Sequence, residues 1–538
     1  MSGITASYSP RFLPARLPRI CVAIVAATPA EMVEKAEAMV RENTFLEFRL
    51  DYLPKPALAL SKIKAFAEYH PEALIIATCR RAANGGKFKG SMAAEIDILV
   101  KAAAQGCQLV DVELETAVHL KAADFARLRR SASLILSFHD FRATRKLEET
   151  FEKMKRYPAD IFKIVGTAGT LYDNVVMMKF LEKHSHSHSM IGLCMGEQGI
   201  ISRLLAVRAG SQFTFASASP GEETAPGQIA ARTLRETYRI EQVDAATRIY
   251  GVAGDPITHS LSPIMLNTAF RRENVNALYL ALQAKSLDDL LACVRDIPMH
   301  GLSVTMPCKE PILKYLDKTD PLTQKIGACN TVVRAQDGKL YGFNTDVYGI
   351  VRPLEQRLHL QGARILVLGA GGAARAAVFG LKERGADISI LNRTPASAQK
   401  LAKQAGAKAI NRTLMKKLQF DVIINATPVG MEGNRDPLPL TEQEMQTRYF
   451  FDLVYNPAET KMIQMARAKG IHVIHGSEMF VHQGARQFET WTGKPAPLQE
   501  MQRVVEFALA RRAAAKSDAE KNDGKKEKKE LSTKKKSK

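Results

Sequence analysis

The chain has 538 residues, 46% of them hydrophobic and 25% charged, with a formal net charge of +20. That length exceeds one hydrophobic core and calls for two or more domains, while the composition is ordinary for a soluble globular protein. No apolar run approaches the ~18 residues of a membrane span, and seven scattered cysteines without a Cys-x-x-Cys argue against a disulfide framework or a zinc site.

Residues 1–19 hold arginines and no acid, and the run "ICVAIVAA" follows. This run could imitate a signal-peptide core, but it reads better as the first strand of a repeat. The expected location is cytoplasmic, with a plastid the alternative raised by the acid-free start. From residue 19 to residue 244, short apolar runs alternate with amphipathic stretches. The runs are "ICVAIVA", "FLEFRL", "LIIATC", "LVDVEL", "LILSFHD", "IFKIVGT", "MIGLCM" and "FTFAS". Eight strand–helix units of this size predict a TIM barrel, since a doubly wound open sheet usually has fewer strands in that length.

Chemistry in such a barrel lies at the C-terminal ends of the strands. Polar residues fall there: Glu47 and Arg49 on strand two, Arg80 on three, His139 on five and Lys163 on six. Arg203 lies beyond strand seven, and the loop "TAPGQ" after strand eight supplies Thr224 and Gln228. Each buried charge costs several kcal/mol unless paired, so this convergence points to a site. A lysine in an apolar, cationic mouth is expected to have its charged form disfavoured, leaving a reactive amine near neutral pH.

A second α/β pattern starts at "RIYGVAGDPITHSLSP", and its clearest signal is "ARILVLGAGGAARAAVFGLKERGADISILNRT". Strand, glycine turn (Gly369, Ala370, Gly371, Gly372, Ala373), helix and second strand form a dinucleotide-binding unit. The glycines admit the pyrophosphate to the helix N-terminus. An NAD site would place an acid at the end of the second strand; Asn392, Arg393 and Thr394 stand there instead and suit a 2′-phosphate. The expected cofactor is therefore NADP(H), with no metal.

The segment 511–538 holds twelve Lys/Arg and five Asp/Glu, so it supplies +7 of the charge and leaves +13 elsewhere. It has no aromatic residue, cannot build a core and is expected to be a disordered lysine-rich tail. Without stacking residues it offers phosphate only nonspecific attraction, so no specific nucleic-acid partner and no membrane partner are expected. The sequence carries no signature of subunit number.

Residues 19–244 resemble type I 3-dehydroquinate dehydratase through "EFRLDYL", "TCRRAANGG", "SFHDF", "ADIFKIVGTA", "MGEQGIISR" and "TAPGQ". The resemblance implies that Lys163 forms a Schiff base with a substrate ketone and that His139 shuttles the proton. It further implies that Arg203 holds the substrate carboxylate, with Thr224 and Gln228 binding substrate from the closing loop. Glu47, Arg49 and Arg80 would engage hydroxyls or orient the lysine. Two departures stand out: Asn84 where the family commonly has glutamate before Gly85-Gly86, and Thr224 where it often has serine. Loss of the acid removes a partner for His139 and bears on rate rather than chemistry.

The remainder resembles shikimate dehydrogenase through "GDPITHSLSP", "LSVTMPCKE", "IGACNTV", "GFNTDVYG", "NRT", "NATPVGM", "FDLVYNP" and "GSEMFVHQ". The resemblance implies a substrate domain over 248–350 and a Rossmann domain over 351–510 whose last helices return to the substrate domain. Ser260 and Ser262 would bind the substrate carboxylate, and Thr305, Asn330, Tyr455 and Gln483 its hydroxyls. Lys309 and Asp346 would form the catalytic dyad, with Thr427, Gly476 and Met479 joining the glycine turn around the cofactor. The two resemblances together imply consecutive reactions, 3-dehydroquinate to 3-dehydroshikimate and then to shikimate. The alternatives are a Schiff-base aldolase barrel, an NAD-linked quinate dehydrogenase, or a basic nucleic-acid-binding chain.

Overall fold

The computed structural model describes residues 13–257, 260–297 and 299–514, so the tail expectation beyond residue 514 lies outside the described residues. These fall into two compact units, one holding residues 13–247 and 282–297 and the other 248–281 and 299–514.

Eight parallel strands form the wall of the first unit: β1 (Ile20–Ile24), β2 (Phe45–Arg49), β3 (Leu74–Thr78), β4 (Leu109–Glu113), β5 (Ser133–His139), β6 (Ile161–Thr167), β7 (Met190–Met195) and β8 (Thr214–Ser217). From β1 to β7 each pairs with the next, and β1 also pairs with β8. A bridge from Ser211 to Met190, and the Gln212 amide donating to the Met190 carbonyl at 2.8 Å, join the stretch before β8 to the start of β7. This is the expected TIM barrel. One element was not expected: the "TAPGQ" loop turns back at Gly227 (φ +76) and continues into β9 (Ile229–Ala230), which pairs with β8.

The second unit holds two sheets. The first comprises β10 (Arg248–Gly254), β11 (Ala277–Gln283), β12 (Met299–Val304), β13 (Lys318–Thr319), β14 (Thr331–Arg334) and β15 (Leu340–Phe343) in the order β11-β10-β12-β14-β15-β13. The other comprises β16 (Arg364–Leu368), β17 (Asp387–Leu391), β18 (Lys408–Ala409), β19 (Phe420–Asn425), β20 (Thr447–Asp452) and β21 (His472–Ile474). Its order, β18-β17-β16-β19-β20-β21, has its switch point between β16 and β19. That is the Rossmann order, with the ligand crevice beyond the strand ends at the switch.

The helix Gly476–Thr492 and the helix over residues 498–514 pack Phe480, Phe488, Trp491, Met501 and Val505 against Tyr250, Leu266 and Phe270. The last helix runs four residues past the expected start of the tail at 511. The Ala/Arg-rich "ALARRAAA" has high helix propensity and simply continues the preceding turns.

Trp491, the sole tryptophan of the chain, lies over Gly301 of β12 and donates its Nε1–H to the Val332 carbonyl at 3.0 Å. A Cβ at residue 301 would lie 2.4 Å from that nitrogen. Gly301→Ala should therefore push the indole off its acceptor, at about 1–3 kcal/mol for an overpacked site. A red-shifted tryptophan emission and a lower melting temperature are expected; unchanged emission would show that the indole does not seal β12.

Candidate active sites

Side chains two residues apart on a barrel strand share a face. Low in the barrel Phe45, Ile76, Leu109, Ile135, Ile161 and Phe213 are buried together. One step up each of β2 to β6 stand Glu47, Thr78, Asp111, Ser137 and Lys163, all buried. A further step up lie Arg49, Arg80, Glu113 and His139. Period two thus converts an apolar floor into a charged mouth.

Lys163 Nζ lies 3.0 Å from Asp111 Oδ2 and 3.9 Å from the centroid of the Phe215 ring. This corrects the expected cationic, apolar surroundings: a carboxylate and an aromatic face lie against Nζ. The lysine is paired. Burial alone would raise the Asp111 carboxyl, yet Lys163, Arg80 and His139 hold it well below the usual carboxylate range. Its other oxygen accepts from Ser137 Oγ at 2.6 Å and Arg80 Nη2 at 3.3 Å. Arg80 Nε donates to Glu113 Oε1 at 2.9 Å, and Nη1 to His139 Nε2 at 2.9 Å. Because a guanidinium only donates, His139 carries its proton on Nδ1 here. Desolvation, then Arg80 and Lys163, push this imidazole well below its ordinary value, so it is neutral.

Glu47 accepts from Thr78 Oγ1 at 2.7 Å, and Arg49 forms a two-point pair with Asp51 at 2.9 and 2.8 Å. Arg203, on the helix Ile200–Leu205, is 2% exposed and pairs with no acid among the described residues. Its Nη2 donates to the Pro226 carbonyl at 3.2 Å, its Nε has no partner, and desolvation lowers its pKa to about 10. A buried guanidinium without a counterion is an anion site awaiting its anion. Thr224 and Gln228 are bonded to each other, the Thr224 amide reaching Gln228 Oε1 at 2.7 Å.

In the second unit Lys309 Nζ meets Asp346 Oδ2 at 2.5 Å. Asn330 Nδ2 donates to Asp346 Oδ1 at 2.8 Å and reaches Gln483 Oε1 at 3.4 Å. These four predicted residues converge. Ser260 Oγ accepts from the Ser262 amide at 3.2 Å, opening the helix Ser262–Arg272. Thr305 follows β12 with its amide on the Ala253 carbonyl, and Tyr455 stacks on Phe480 at 4.6 Å.

Around the glycine turn, a Cβ on Gly372 would lie 3.7 Å from Lys309 Cδ, so turn and dyad adjoin. The helix Gly372–Glu383 has no side-chain cap, and no atom lies within 4 Å of a Cβ position on Gly371. Uncapped amides beneath open space fit a pyrophosphate. Gly369 takes φ +112 against Thr427, whose hydroxyl is held by Asn425 Oδ1 at 2.6 Å. Gly476 abuts the Val454 carbonyl, and Met479 faces Gly349. Asn392 Nδ2 donates to the Thr394 carbonyl, while the exposed Arg393 lies 3.3 Å from Asp436 Oδ1. Arg393 thus has a carboxylate partner that the sequence did not reveal.

Residues 20–245 match the Type I 3-dehydroquinase family, 252–332 the shikimate dehydrogenase substrate binding domain, 353–454 the shikimate / quinate 5-dehydrogenase family, and 476–506 the shikimate 5'-dehydrogenase C-terminal domain. Over 501 residues the chain is 33% identical to the chloroplastic bifunctional 3-dehydroquinate dehydratase/shikimate dehydrogenase of Arabidopsis thaliana, covering 89% of this chain and 82% of that one. The chain belongs to this bifunctional dehydratase/dehydrogenase family. It is also 40% identical over 270 residues to a shikimate dehydrogenase (NADP(+)) of Bacillus cereus, covering 48% of this chain and 97% of that one. Dehydroquinate dehydratase and shikimate dehydrogenase from S. pombe superposes at TM-score 0.42 with 25% identity, covering 91% of this chain and 98% of that one.

Sequence reasoning passed over Asp111, Glu113 and Asp51 in the dehydratase barrel. In the dehydrogenase it passed over Gln487, which bridges Ser303 and the Asn330 carbonyl at 2.8 and 3.1 Å. The signal for the first two was present: acids at alternate positions of "LVDVEL" share one face of a buried strand. A neutral imidazole is the form that accepts a proton, and its charged form is disfavoured here. The acid limb of kcat/KM for dehydration should therefore fall below pH 6.5, the ordinary value for this group. A limb at or above that pH would show that a different group titrates.

Proposed function

We propose that Lys163 and His139 carry the dehydration of 3-dehydroquinate, and that Lys309 and Asp346 carry proton delivery in the reduction of 3-dehydroshikimate to shikimate. The observation that supports the barrel reading most is Arg203, a buried cation lacking an acid partner close to the "TAPGQ" loop. It suits the single carboxylate of the substrate.

Lys163 loses a proton from its ion pair, and Nζ attacks the C3 ketone; water leaves as the iminium forms. The iminium acidifies the C2 proton, which His139 accepts at Nε2 when Arg80 Nη1 releases that nitrogen. The resulting enamine expels the C1 hydroxyl, protonated by the same imidazole, as water. Hydrolysis of the conjugated iminium returns the lysine and releases 3-dehydroshikimate. In the dehydrogenase, NADPH supplies a hydride to the ketone carbon when bound. Lys309 gives its proton to the nascent alkoxide, and Asp346 with Asn330 fixes the ammonium in place. Ser260 and Ser262 take the carboxylate; Thr305, Asn330, Tyr455 and Gln483 take hydroxyls.

NADP rather than NAD is supported by the name of the Bacillus cereus relative and by Arg393 at the end of β17. Gly369, Gly371 and Gly372 would admit the pyrophosphate, with Thr427, Gly476 and Met479 around the nicotinamide side. The seven free, buried thiols suit a reducing compartment, the cytoplasm or, as in the chloroplastic Arabidopsis relative, a plastid.

Three measurements test this assignment. With 3-dehydroquinate and NADPH alone, the intact protein should oxidise NADPH, and Lys163→Met should silence that signal while leaving reduction of added 3-dehydroshikimate intact. Lys309→Ala should abolish both signals while enone formation continues. Borohydride added with 3-dehydroquinate should leave its adduct on Lys163; an adduct elsewhere, or a Lys163→Met protein that still dehydrates, contradicts the imine. Arg393→Asp should weaken NADPH far more than NADH, and equal effects would remove Arg393 from the 2′-phosphate.

A further inference from the structure

Among the described residues His139 has one hydrogen-bond partner, Arg80 Nη1; its Nδ1 is buried with none. No carboxylate touches the ring, and Asn84 stands where the family commonly has an acid. The orientation of the imidazole therefore rests on what holds Arg80. Asp111 is shared with Lys163 and Ser137, so Glu113 is the acid that Arg80 has to itself.

Behind Glu113 lies a second carboxyl that no step above uses. Glu95, on the helix Met92–Ala104, is fully buried. Thr116, three residues beyond Glu113, donates its Oγ1–H to Glu95 Oε2 at 3.0 Å and so holds the Glu95 carboxyl next to the end of β4. Among the described residues, Glu95 Oε1 and Glu113 Oε2 are both buried without a hydrogen-bond partner. A single proton shared between the two groups satisfies both; without it two buried carboxylates would repel.

We infer that Glu95 is a positioning residue of the dehydratase: held on Glu113 through a shared proton, it fixes the carboxylate that fixes Arg80, and so sets the tautomer and orientation of His139. The inference rests on the proposed role of His139 as the base. Charge balance supports it. Arg80 is already paired with Glu113, Lys163 with Asp111 and Arg49 with Asp51, so an ionised Glu95 would have no buried cation of its own among the described residues. Desolvation first, then Glu113, pushes the Glu95 carboxyl up to about 9, against opposing contributions from Thr116 and Arg81. Burial holds the thiol of Cys79, after β3, protonated, so it supplies no competing anion near neutrality.

The test compares kcat and KM for dehydration across pH in the full-length protein, its own dehydrogenase activity on 3-dehydroshikimate serving as the folding control. Glu95→Leu removes the donor to Glu113; kcat should fall about tenfold or more with KM within about twofold, and the acid limb should move upward as Arg80 loosens from His139. Glu95→Gln still offers an N–H to Glu113 and an oxygen to Thr116 but cannot ionise. It should recover kcat to within about threefold of wild type and lack the alkaline fall expected of wild type around pH 9. Equal losses in both variants with unchanged pH limbs would mean that Glu95 only fills space, and would overturn the inference; so would wild-type kcat in Glu95→Leu. His139→Gln, measured alongside, separates the two readings. If it keeps dehydrating, the base assignment itself has failed. If it is inactive while Glu95→Leu is normal, only the role of Glu95 has.

Discussion

Asp111 sets the charge balance of the barrel mouth: one oxygen faces the Lys163 ammonium at 3.0 Å, and the other accepts from Ser137 and Arg80. Lysine and arginine could not otherwise stand this close inside a wall of buried strands, since each unpaired cation would cost several kcal/mol. The carboxylate lets both remain, and their positions determine the rest. Arg80 caps one nitrogen of His139 and keeps the ring neutral, while Lys163 is held over the Phe215 ring. Arg203 is the exception, a buried cation that pairs with no acid among the described residues.

The dehydrogenase solves a related problem with amides. Asn330 accepts from the Thr345 amide and donates to Asp346, which in turn meets Lys309. Gln487 reaches the same asparagine through its carbonyl and ties it to Ser303. Neutral donors with two-sided hydrogen bonding satisfy buried atoms without adding charge, so the dyad keeps the only ion pair there among the described residues. The glycine turn lies beside Lys309 because Gly372 has no side chain to hold the two apart. Hydride and proton then have to reach the two ends of one carbonyl.

Much of this was legible along the chain. Alternating runs and amphipathic stretches gave the barrel, and strand–turn–helix–strand gave the Rossmann unit, because both signals are local and periodic. The site residues at strand ends were legible for the same reason, since position on a barrel strand decides whether a polar group faces the mouth. Partnerships were not. Asp111 and Lys163 are 52 positions apart, and Glu95 reaches Glu113 from the neighbouring helix. Arg393 was visible as a cation after β17, but not its ion pair with Asp436.

Residue types and their spacing therefore determined by themselves the two α/β architectures and which polar groups stand at the strand ends. The state of those groups was decided only by the tertiary structure. An isolated strand does not say whether Lys163 is an ammonium or an amine, or which nitrogen of His139 bears the proton. Those depend on charges and donors within a few ångströms, contributed by strands distant in sequence. Ionisation follows the local field and solvation, and both come into being only when the barrel closes.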